Sequence, residues 1–260
     1  MRVSPARLLV AAALLLGPGL PVTASVASAE QPAATEACPA ADHQPLSLPA
    51  TRAALEAGRP LTIVAFGSSS TEGAGASGPE RTYPAQLEAR LHATLPGRTV
   101  TVLNRGVGGQ EVGEMLARLE GDVIARRPNL VIWQAGANAV LKGMDPGAFR
   151  AALAGGLARL QAAGAEVVLM DSQRAPRILA APRHALFDAA MQELAATQHL
   201  PLFSRAELMR DWVEAGVPNE AMLHTDGLHH NDRGYRCVAA ALADSILGAL
   251  RPAPVMAAGR

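Results

Sequence analysis

The stretch LTIVAFGSSSTEG, residues 61–73, decides the fold of this 260-residue chain. Its first six residues are apolar or β-branched and lie between Pro60 and Gly67, which predicts a short buried strand of a parallel sheet. The glycine, serine and threonine residues that follow are typical of a turn between a strand and a helix. We therefore expect the serines at 68–70 to lie at the carboxyl edge of a sheet.

Apolar runs of similar length recur along the chain, and helical patterns separate them. The further predicted strands cover residues 99–103, 130–133, 166–170 and 200–203. Apolar residues with helical spacing occupy residues 112–119 and 149–160, and a last helix is predicted from the N-cap Asn231 to Ile246. Five strands separated by helices require right-handed crossovers and a parallel sheet covered on both faces. The expected fold class is α/β, a three-layer α/β/α sandwich around a mostly parallel five-stranded sheet in one domain.

The first residues have the pattern of a secretory signal peptide. Arg2 and Arg7 precede the apolar run at 8–16, and residues 27–29, Ala-Ser-Ala, supply a small-residue cleavage site. A membrane anchor is the alternative, but the run has about half of the roughly 20 residues that span a bilayer. We expect residues 1–29 to be removed and the mature protein to be soluble, periplasmic or secreted, with no transmembrane segment.

Composition sets the remaining boundaries. Residues 30–48 are rich in Ala and Pro and lack periodicity, so they predict a linker or a surface segment. The folded domain is expected at 49–252, with a C-terminal tail at 253–260.

Cys38 lies in the segment before the domain and Cys237 in the last predicted helix. Export permits a disulfide, but sequence gives no separation in space, so a bridge and two isolated thiols both remain open.

The charge balance excludes one class of partner. The chain has 23 Lys and Arg residues against 23 Asp and Glu residues, which gives a formal net charge of zero. Sequence-independent binding to phosphate backbones needs clustered positive charge, so nucleic acid is not an expected partner. The two cysteines lie in no cluster with metal-ligand spacing, and no metal site is predicted. The oligomeric state is not determined by these patterns.

Polar residues follow the predicted strands at the edge where ligands bind in such sheets. The second strand ends in NRGVGG at 104–109, which fails the dinucleotide-binding GxGxxG pattern because Glu111 occupies the last glycine position. The third strand ends in QAGANA at 134–139, which places the amide of Asn138 at the same edge. An asparagine that tolerates a left-handed turn would explain the same pattern without a functional role.

The stretch TDGLHH, residues 225–230, comes directly before the last predicted helix. His229 follows Asp226 by three positions, so in a turn the carboxylate can accept a hydrogen bond from one imidazole nitrogen and leave the other as a base. A single pair of this kind is often an incidental surface turn. Here it is combined with a serine, a glycine and an asparagine, each at a separate junction before a helix.

Four blocks in this order resemble the SGNH/GDSL hydrolase family. The family blocks GDS, the block-two glycine, GxND and DxxH resemble respectively Gly67-Ser68-Ser69, Gly109, residues 136–139 and residues 226–229. The match spans roughly residues 61–246, and it is the order and wide spacing of the blocks that make it specific. The resemblance implies the flavodoxin-like SGNH hydrolase fold and a serine esterase that needs no metal or organic cofactor.

The resemblance also implies roles for single residues. It makes Ser69 the nucleophile and His229 its general base, with Asp226 orienting the imidazole. The backbone N–H groups of Ser69 and Gly109, with the side-chain amide of Asn138, would form the oxyanion hole. The chemistry of these groups agrees, because a serine hydroxyl becomes a good nucleophile only when an adjacent imidazole accepts its proton. Preorganised donors then stabilise the charge that develops on the substrate carbonyl.

Two positions depart from the family pattern. Ser68 replaces the aspartate of GDS, and Ala139 replaces the aspartate of GxND. Neither belongs to the implied triad or oxyanion hole, so we expect the chemistry to survive while substrate preference and local loop support change. A catalytically inactive descendant is the minority interpretation.

Several other residues invite functional interpretation. His230 lies one place outside the DxxH register and is expected at the surface or at the edge of the substrate site, and His224 is equally ambiguous. Residues 172–174, Ser-Gln-Arg, could contact substrate, although a plain polar loop is the simpler interpretation. Trp133 lies within an apolar strand and is expected in the core.

The expected function is hydrolysis of small acyl esters, on acetylated carbohydrate or on lysophospholipid-type substrates, through an acyl-enzyme intermediate. The expected partner is thus a small-molecule or carbohydrate ester. Aromatic residues make up only 3% of the chain, which argues against an extended sugar-stacking cleft. Two alternatives stay open: an O-acyltransferase that acts on an envelope polysaccharide with the same triad, and a noncatalytic carbohydrate-binding module.

Overall fold

A computed structural model of the chain describes residues 37–251. The expected signal peptide at 1–29 and the tail at 253–260 lie outside the described residues. Within them, five strands form one parallel sheet in the order β2-β1-β3-β4-β5. The strands are β1 (Leu61–Gly67), β2 (Val100–Gly106), β3 (Leu130–Gln134), β4 (Glu166–Met170) and β5 (Leu202–Phe203). The predicted α/β class and five-stranded sheet are therefore confirmed.

Helices precede, separate and follow the strands. They are α1 (Pro49–Glu56), α2 (Ser69–Glu72), α3 (Tyr83–Thr94), α4 (Val112–Asp122), α5 (Ala137–Leu141), α6 (Pro146–Ala162), α7 (Pro176–Leu179), α8 (His184–Thr197), α9 (Arg205–Glu214) and α10 (Asp232–Leu250), with short 3₁₀ turns at Pro79–Arg81, Ile124–Arg126 and Asn219–Met222. Helices α1, α3 and α10 pack as one group, and α4, α6 and α8 as another. These two groups are the outer layers of the sandwich.

Side-chain caps set the start of the helices nearest the site. Asn231 caps α10, because its side-chain oxygen accepts a hydrogen bond from the Gly234 N–H at 2.9 Å. Glu111 and Glu114 form a reciprocal capping box at the start of α4. Both caps lie next to site blocks, so the ends of these helices fix where the functional loops begin.

The sheet core is built from the apolar runs that the sequence contains. Along β1 every residue but Thr62 is buried, and all of β3 is buried. The rings of Phe66 and Trp133 pack with their centroids 5.7 Å apart, at neighbouring positions of the two strands. All eight Phe, Trp and Tyr residues of the chain are buried, none more than 2% exposed. The aromatic side chains therefore stabilise the core and do not form a surface platform.

The N-terminal segment at 37–48 has no regular secondary structure, but it is attached to the domain. A disulfide joins Cys38 to Cys237 of α10, which resolves the alternative that the sequence left open. Gln44 exchanges hydrogen bonds with the backbone of Ser204, at 2.8 and 2.6 Å, and Leu48 is buried. The segment is thus anchored at both of its ends.

The order of the strands in the sheet determines where the candidate site forms. The chain moves from β1 outward to β2 and then returns across β1 to β3, so the direction of winding changes between β1 and β3. In open parallel sheets, crevices at the carboxyl ends of the strands form at this point. Gly67 of β1 pairs with Gly106 of β2, and Phe66 pairs with Trp133 of β3, so three strand ends meet at one edge. None of the helices in the described range is long and apolar enough to cross a membrane.

Candidate active site

Residues 68–72, named the nucleophile turn after the candidate nucleophile Ser69, begin where β1 ends. Ser69 is the first residue of α2, so its backbone N–H lies at a helix start, where no intrahelical acceptor exists. Gly67 allows the turn to close tightly: a Cβ at this position would lie 2.3 Å from Thr71 Oγ1 and 2.7 Å from Gln134 Oε1. Only glycine fits in this space, and the close packing fixes the path of the chain into α2.

Gln134, the last residue of β3, stabilises the nucleophile turn by hydrogen bonds. Its buried Oε1 accepts hydrogen bonds from the Ser68 N–H at 2.9 Å, from Ser68 Oγ at 3.2 Å and from Thr71 Oγ1 at 3.1 Å. Three donors of the nucleophile turn therefore share one acceptor from the neighbouring strand. Sequence reasoning missed Gln134, and the only available signal was a polar residue at the end of an apolar strand.

Ser69, His229 and Asp226 form a hydrogen-bonded chain. Ser69 Oγ lies 2.8 Å from His229 Nε2, and His229 Nδ1 lies 2.5 Å from Asp226 Oδ2. An ionised carboxylate can only accept, so the Nδ1 proton donates to Asp226 and Nε2 is left to accept the Ser69 hydroxyl proton. The His229 side chain is 14% exposed and that of Asp226 is 32% exposed, so the pair lies at the rim.

Asp226 also organises its own loop. Its Oδ1 accepts hydrogen bonds from the backbone N–H groups of Leu228 at 2.9 Å and His229 at 3.0 Å. Partial burial raises the pKa of this carboxyl, but the side chain and backbone of His229 and the N–H of Leu228 outweigh it and lower the pKa to about 2. The carboxylate is therefore ionised at neutral pH.

The three expected oxyanion donors belong to separate segments of the chain. The Ser69 N–H lies at the start of α2, and Gly109 has a φ of 76°, a left-handed conformation that favours glycine. Asn138 lies on α5, where its Nδ2 donates to the carbonyl of Gln110 at 2.9 Å. A carbonyl only accepts, so this contact fixes which end of the amide is Nδ2 and leaves its second N–H for another acceptor.

The two departures from the family pattern are both buried. Ser68 is 2% exposed and is fully engaged by Gln134, while Ala139 is 2% exposed in the hydrophobic core. A carboxylate at either position would be desolvated in the present packing. The chain therefore supports its nucleophile turn with neutral groups.

The expectation that His230 lies at the surface or the substrate edge is wrong. Its ring is fully buried and packs edge-on against Trp212 and Tyr235, with centroids 6.1 and 5.6 Å away. Its Nδ1 contacts the Met222 carbonyl at 3.1 Å and must donate to it. Burial, and then the charge of Arg205, lower the pKa of His230 to about 3, so the ring is neutral. His230 is thus a structural residue of the core, whereas the adjacent His229 contacts Ser69.

A buried polar group lies behind the loop at 223–230, named the catalytic loop after the candidate triad residues Asp226 and His229. Arg205 is 1% exposed; its Nε donates to the Asp171 carbonyl at 2.8 Å, and its backbone N–H donates to the Asp171 carboxylate at 2.6 Å. Burial raises the pKa of Asp171 to about 6, although Ser204 and Arg205 oppose the rise. Gln173, expected in a plain polar loop, is also buried and donates to the Leu228 carbonyl at 2.9 Å. It therefore supports the loop that carries Asp226 and His229.

Comparisons with known proteins agree with this architecture. A sequence-family model for the Non-GDSL lipase-like family matches residues 34–252, and the chain belongs to that family. An arylesterase of Vibrio mimicus is 27% identical over 169 residues, which cover 65% of this chain and 80% of the relative. An acetylxylan esterase of Geobacillus stearothermophilus is 35% identical over 85 residues, 32% of this chain and 39% of the relative.

Solved structures share the fold. A two-domain esterase described as active on acetylated mannans superposes with a TM-score of 0.67 at 22% identity, covering 82% of this chain and 58% of that one. A lipolytic protein of the G-D-S-L family from Desulfitobacterium hafniense shares the fold with a TM-score of 0.61 at 18% identity, covering 71% of this chain and 98% of that one. The family match and the two esterase relatives confirm the enzyme class expected from the sequence, an esterase.

Proposed function

We propose that this protein is an exported serine ester hydrolase that removes small acyl groups, acetyl groups of carbohydrates in particular, through a Ser69–His229–Asp226 triad. The proposal rests on the unbroken hydrogen-bond chain from Asp226 through His229 to Ser69 Oγ. Such a chain is the arrangement that turns a serine hydroxyl into a nucleophile.

In the proposed first step, Ser69 Oγ attacks the carbonyl carbon of the ester while its proton moves to His229 Nε2. The tetrahedral oxyanion is stabilised by the N–H groups of Ser69 and Gly109 and by the free amide N–H of Asn138. Collapse of this intermediate breaks the ester bond, and His229 returns its proton to the leaving alcohol. In the second step water attacks the acyl-enzyme, with His229 again as base, and releases the acid and free Ser69.

Two observations support a small acyl group and a polar alcohol. All aromatic side chains are buried, and the exposed large apolar side chains in the described range are only Val107, Leu186 and Val213. A long acyl chain requires a continuous apolar groove, and a stacked polysaccharide requires exposed aromatic rings. The name of the Geobacillus relative, an acetylxylan esterase, favours an acetylated sugar as the ester.

The nucleophile is tested with Ser69→Ala, with Ser70→Ala as its matched control. Ser70 is the adjacent serine but is 1% exposed, and the hydrogen bond of His229 Nε2 goes to Ser69. We expect Ser69→Ala to abolish hydrolysis of p-nitrophenyl acetate and labelling by a serine-directed phosphonate, while Ser70→Ala retains both. Activity in a folded Ser69→Ala variant would overturn the proposed mechanism.

The substrate class is tested with p-nitrophenyl acetate, butyrate and octanoate, followed by acetate release from acetylated xylo-oligosaccharides. We expect kcat/KM to fall as the acyl chain lengthens, and we expect Ser69-dependent release of acetate from the sugar. A preference for octanoate would contradict the small-acyl proposal. Acetate release equal to that of Ser69→Ala would contradict the carbohydrate proposal.

A further inference from the structure

One arginine joins the segments that carry the proposed oxyanion donors. Arg118 lies on α4, and its guanidinium makes three inward hydrogen bonds: Nε to Gln110 Oε1 at 2.6 Å, Nη1 to the Arg105 carbonyl at 2.9 Å and Nη2 to the Gly67 carbonyl at 2.9 Å. The group also lies 4.5 Å above the ring of Phe66. Neither the sequence motifs nor the triad account for this cluster of contacts.

The three acceptors of Arg118 belong to different parts of the site. Gly67 ends β1 directly before the nucleophile turn, and Arg105 lies at the end of β2. Gln110 follows Gly109, the expected backbone donor. A single side chain on a helix thus fixes the relative positions of two strand ends and of the loop at 107–110.

Gln110 extends the connection to Asn138. The side chain of Gln110 accepts from Arg118, while its backbone carbonyl accepts from Asn138 Nδ2 at 2.9 Å. Removing the Arg118 contact would free the Gln110 side chain and allow its carbonyl to rotate away. The amide of Asn138 would then lose the acceptor that sets its orientation.

We propose that Arg118 is a positioning residue for the oxyanion hole, acting through Gln110 on Asn138 and through the loop at 107–110 on Gly109. The inference rests on the proposed function and adds a residue that itself touches neither substrate nor the triad. Its effect is on the transition state, because the donors must be aligned with an oxygen that becomes charged only during reaction.

The chemistry of arginine suits this position. The guanidinium is planar and has five N–H groups in a fixed fork, so it can hold three acceptors in defined directions and still bind Asp122 at 2.9 Å on its outer side. The Arg118 side chain is only 15% exposed, which limits competition from water. A lysine at this position has the charge but a single nitrogen, which cannot reach all of these acceptors at once.

The test measures kcat and KM on p-nitrophenyl acetate for Arg118→Lys, Arg118→Met and Gln110→Ala. We expect kcat to fall roughly 10–10²-fold in the Arg118 variants and less in Gln110→Ala, with KM changed by less than about threefold. Lys142→Met is the matched control. Lys142 also links α5 to the start of α4, through Glu111 and Glu114, but its ion pairs are 3.7 Å long, its side chain is 50% exposed, and it contacts none of the three acceptors.

A double-mutant cycle separates positioning from general destabilisation. If Arg118 acts through the oxyanion hole, the losses in kcat caused by Arg118→Met and Asn138→Ala overlap. The fold-loss of kcat in the double variant is then at least about threefold smaller than the product of the two single fold-losses. Full multiplication of the losses, or unchanged kcat in the folded variants, would overturn the proposal. Should Arg118→Met fail to fold, the same double-mutant cycle is run with Gln110→Ala, because that change removes the Arg118–Gln110 hydrogen bond and leaves the other contacts of Arg118 in place.

The outcomes also distinguish this inference from the proposed function. A wild-type protein without Ser69-dependent esterase activity would remove the proposed function and the inference with it. An active wild type whose Arg118 and Gln110 variants keep their kcat would overturn the inference alone.

Discussion

The amide of Asn138 has two N–H groups. One donates to the Gln110 carbonyl, and the other is the proposed donor to the substrate oxygen. Because the Gln110 carbonyl holds the amide, the proposed mechanism uses the second N–H as a preorganised donor to the oxygen that becomes negatively charged. We predict that Asn138→Ala lowers kcat by about 10²–10³-fold with little change in KM. Asn138→Asp should be at least as damaging, because it places a carboxylate opposite the developing oxyanion. Steady-state kinetics with circular dichroism tests this, and unchanged turnover in both folded variants would remove Asn138 from the site.

Gln134 illustrates a residue whose role is support. Its Oε1 is the common acceptor for three donors of the nucleophile turn, so Gln134→Leu leaves buried donors of Ser68 without a partner. Each such donor costs about 1–3 kcal/mol. We predict a loss of roughly 2–4 kcal/mol in the free energy of unfolding, together with lower kcat.

The control for Gln134 is Thr71→Val, which removes one of the three donors and keeps the acceptor. Thr71 also contacts the Tyr83 hydroxyl at 3.2 Å, so this variant has a cost of its own. We expect that cost to be smaller than for Gln134→Leu in urea unfolding. Equal losses in the two variants would show that Gln134 is not the common support of the turn.

At the scale of elements, the sequence predicted most of what apolar pattern controls. The runs at 61–66, 130–133 and 166–170 became β1, β3 and β4 with ends shifted by at most one residue. Asn231 caps the last helix as expected, because its side chain acts locally on the N–H of Gly234. Where neighbouring residues alone determine a strand or a helix cap, the sequence is sufficient to predict it.

The missed features depend on contacts between distant parts of the chain. Helix α9 was not predicted, and the buried Asp171–Arg205 contact joins residues 34 positions apart. In the sequence, neither residue alone differs from an ordinary surface charge. The same holds for Arg118, whose bond to Gly67 spans 51 positions. The candidate triad could be proposed from block order, whereas the groups that hold it required the fold. The orientation of His230 was missed because the loop at 223–230 has no periodicity from which an inward face could be read.

The helix α10 joins the catalytic loop to the N-terminal segment through the disulfide. The Cys38–Cys237 bridge closes a loop over a sequence separation of 199 residues, and long closed loops restrict the unfolded chain most. We predict that Cys38→Ser lowers the free energy of unfolding by about 3–5 kcal/mol while kcat at 25 °C changes little. The second expectation follows because Cys38 lies outside every contact of the triad.

Urea unfolding of oxidised wild type, reduced wild type and Cys38→Ser checks the disulfide prediction. Reduced wild type and Cys38→Ser should unfold at similar urea concentrations, both below the oxidised protein. An oxidised protein no more stable than the reduced one would contradict the prediction.

At the scale of the whole molecule, buried titratable groups make stability depend on pH. His230 has a pKa of about 3 in the folded protein, against a reference of about 6.5 for a free imidazole. Between these values the unfolded chain binds the proton and the folded chain does not, so stability falls as the pH is lowered from 6.5. Asp171 acts in the opposite direction: its folded pKa of about 6 exceeds the unfolded value, so its contribution falls as the pH rises from about 4 to 6.

The variant His230→Gln isolates one of these contributions. Glutamine keeps an N–H donor for the Met222 carbonyl but does not titrate, and Asp171 is present in both proteins. We predict that the variant is less stable than wild type at pH 7, and that the difference shrinks towards pH 4 by up to about 1.4 kcal/mol per pH unit. Urea unfolding at pH 7, 6, 5 and 4 measures the difference. A gap that stays constant over this range would show that His230 is not a buried neutral imidazole.

The disulfide and the N-terminal sequence both bear on the compartment in which the protein is found. A disulfide forms and persists in an oxidising compartment, so the Cys38–Cys237 pair agrees with the expectation that the chain is exported. Cleavage after Ala29 would leave the eight residues before Cys38 as a short extension of the anchored segment. We predict that protein recovered from the periplasm or the medium begins at Glu30 and contains no free thiol. The same residues produced without 1–29 in a reducing cytoplasm should contain two free thiols and unfold at lower urea. Intact mass before and after alkylation measures both properties, and a full-length chain in the membrane fraction would contradict the assignment of 1–29 as a cleaved signal peptide.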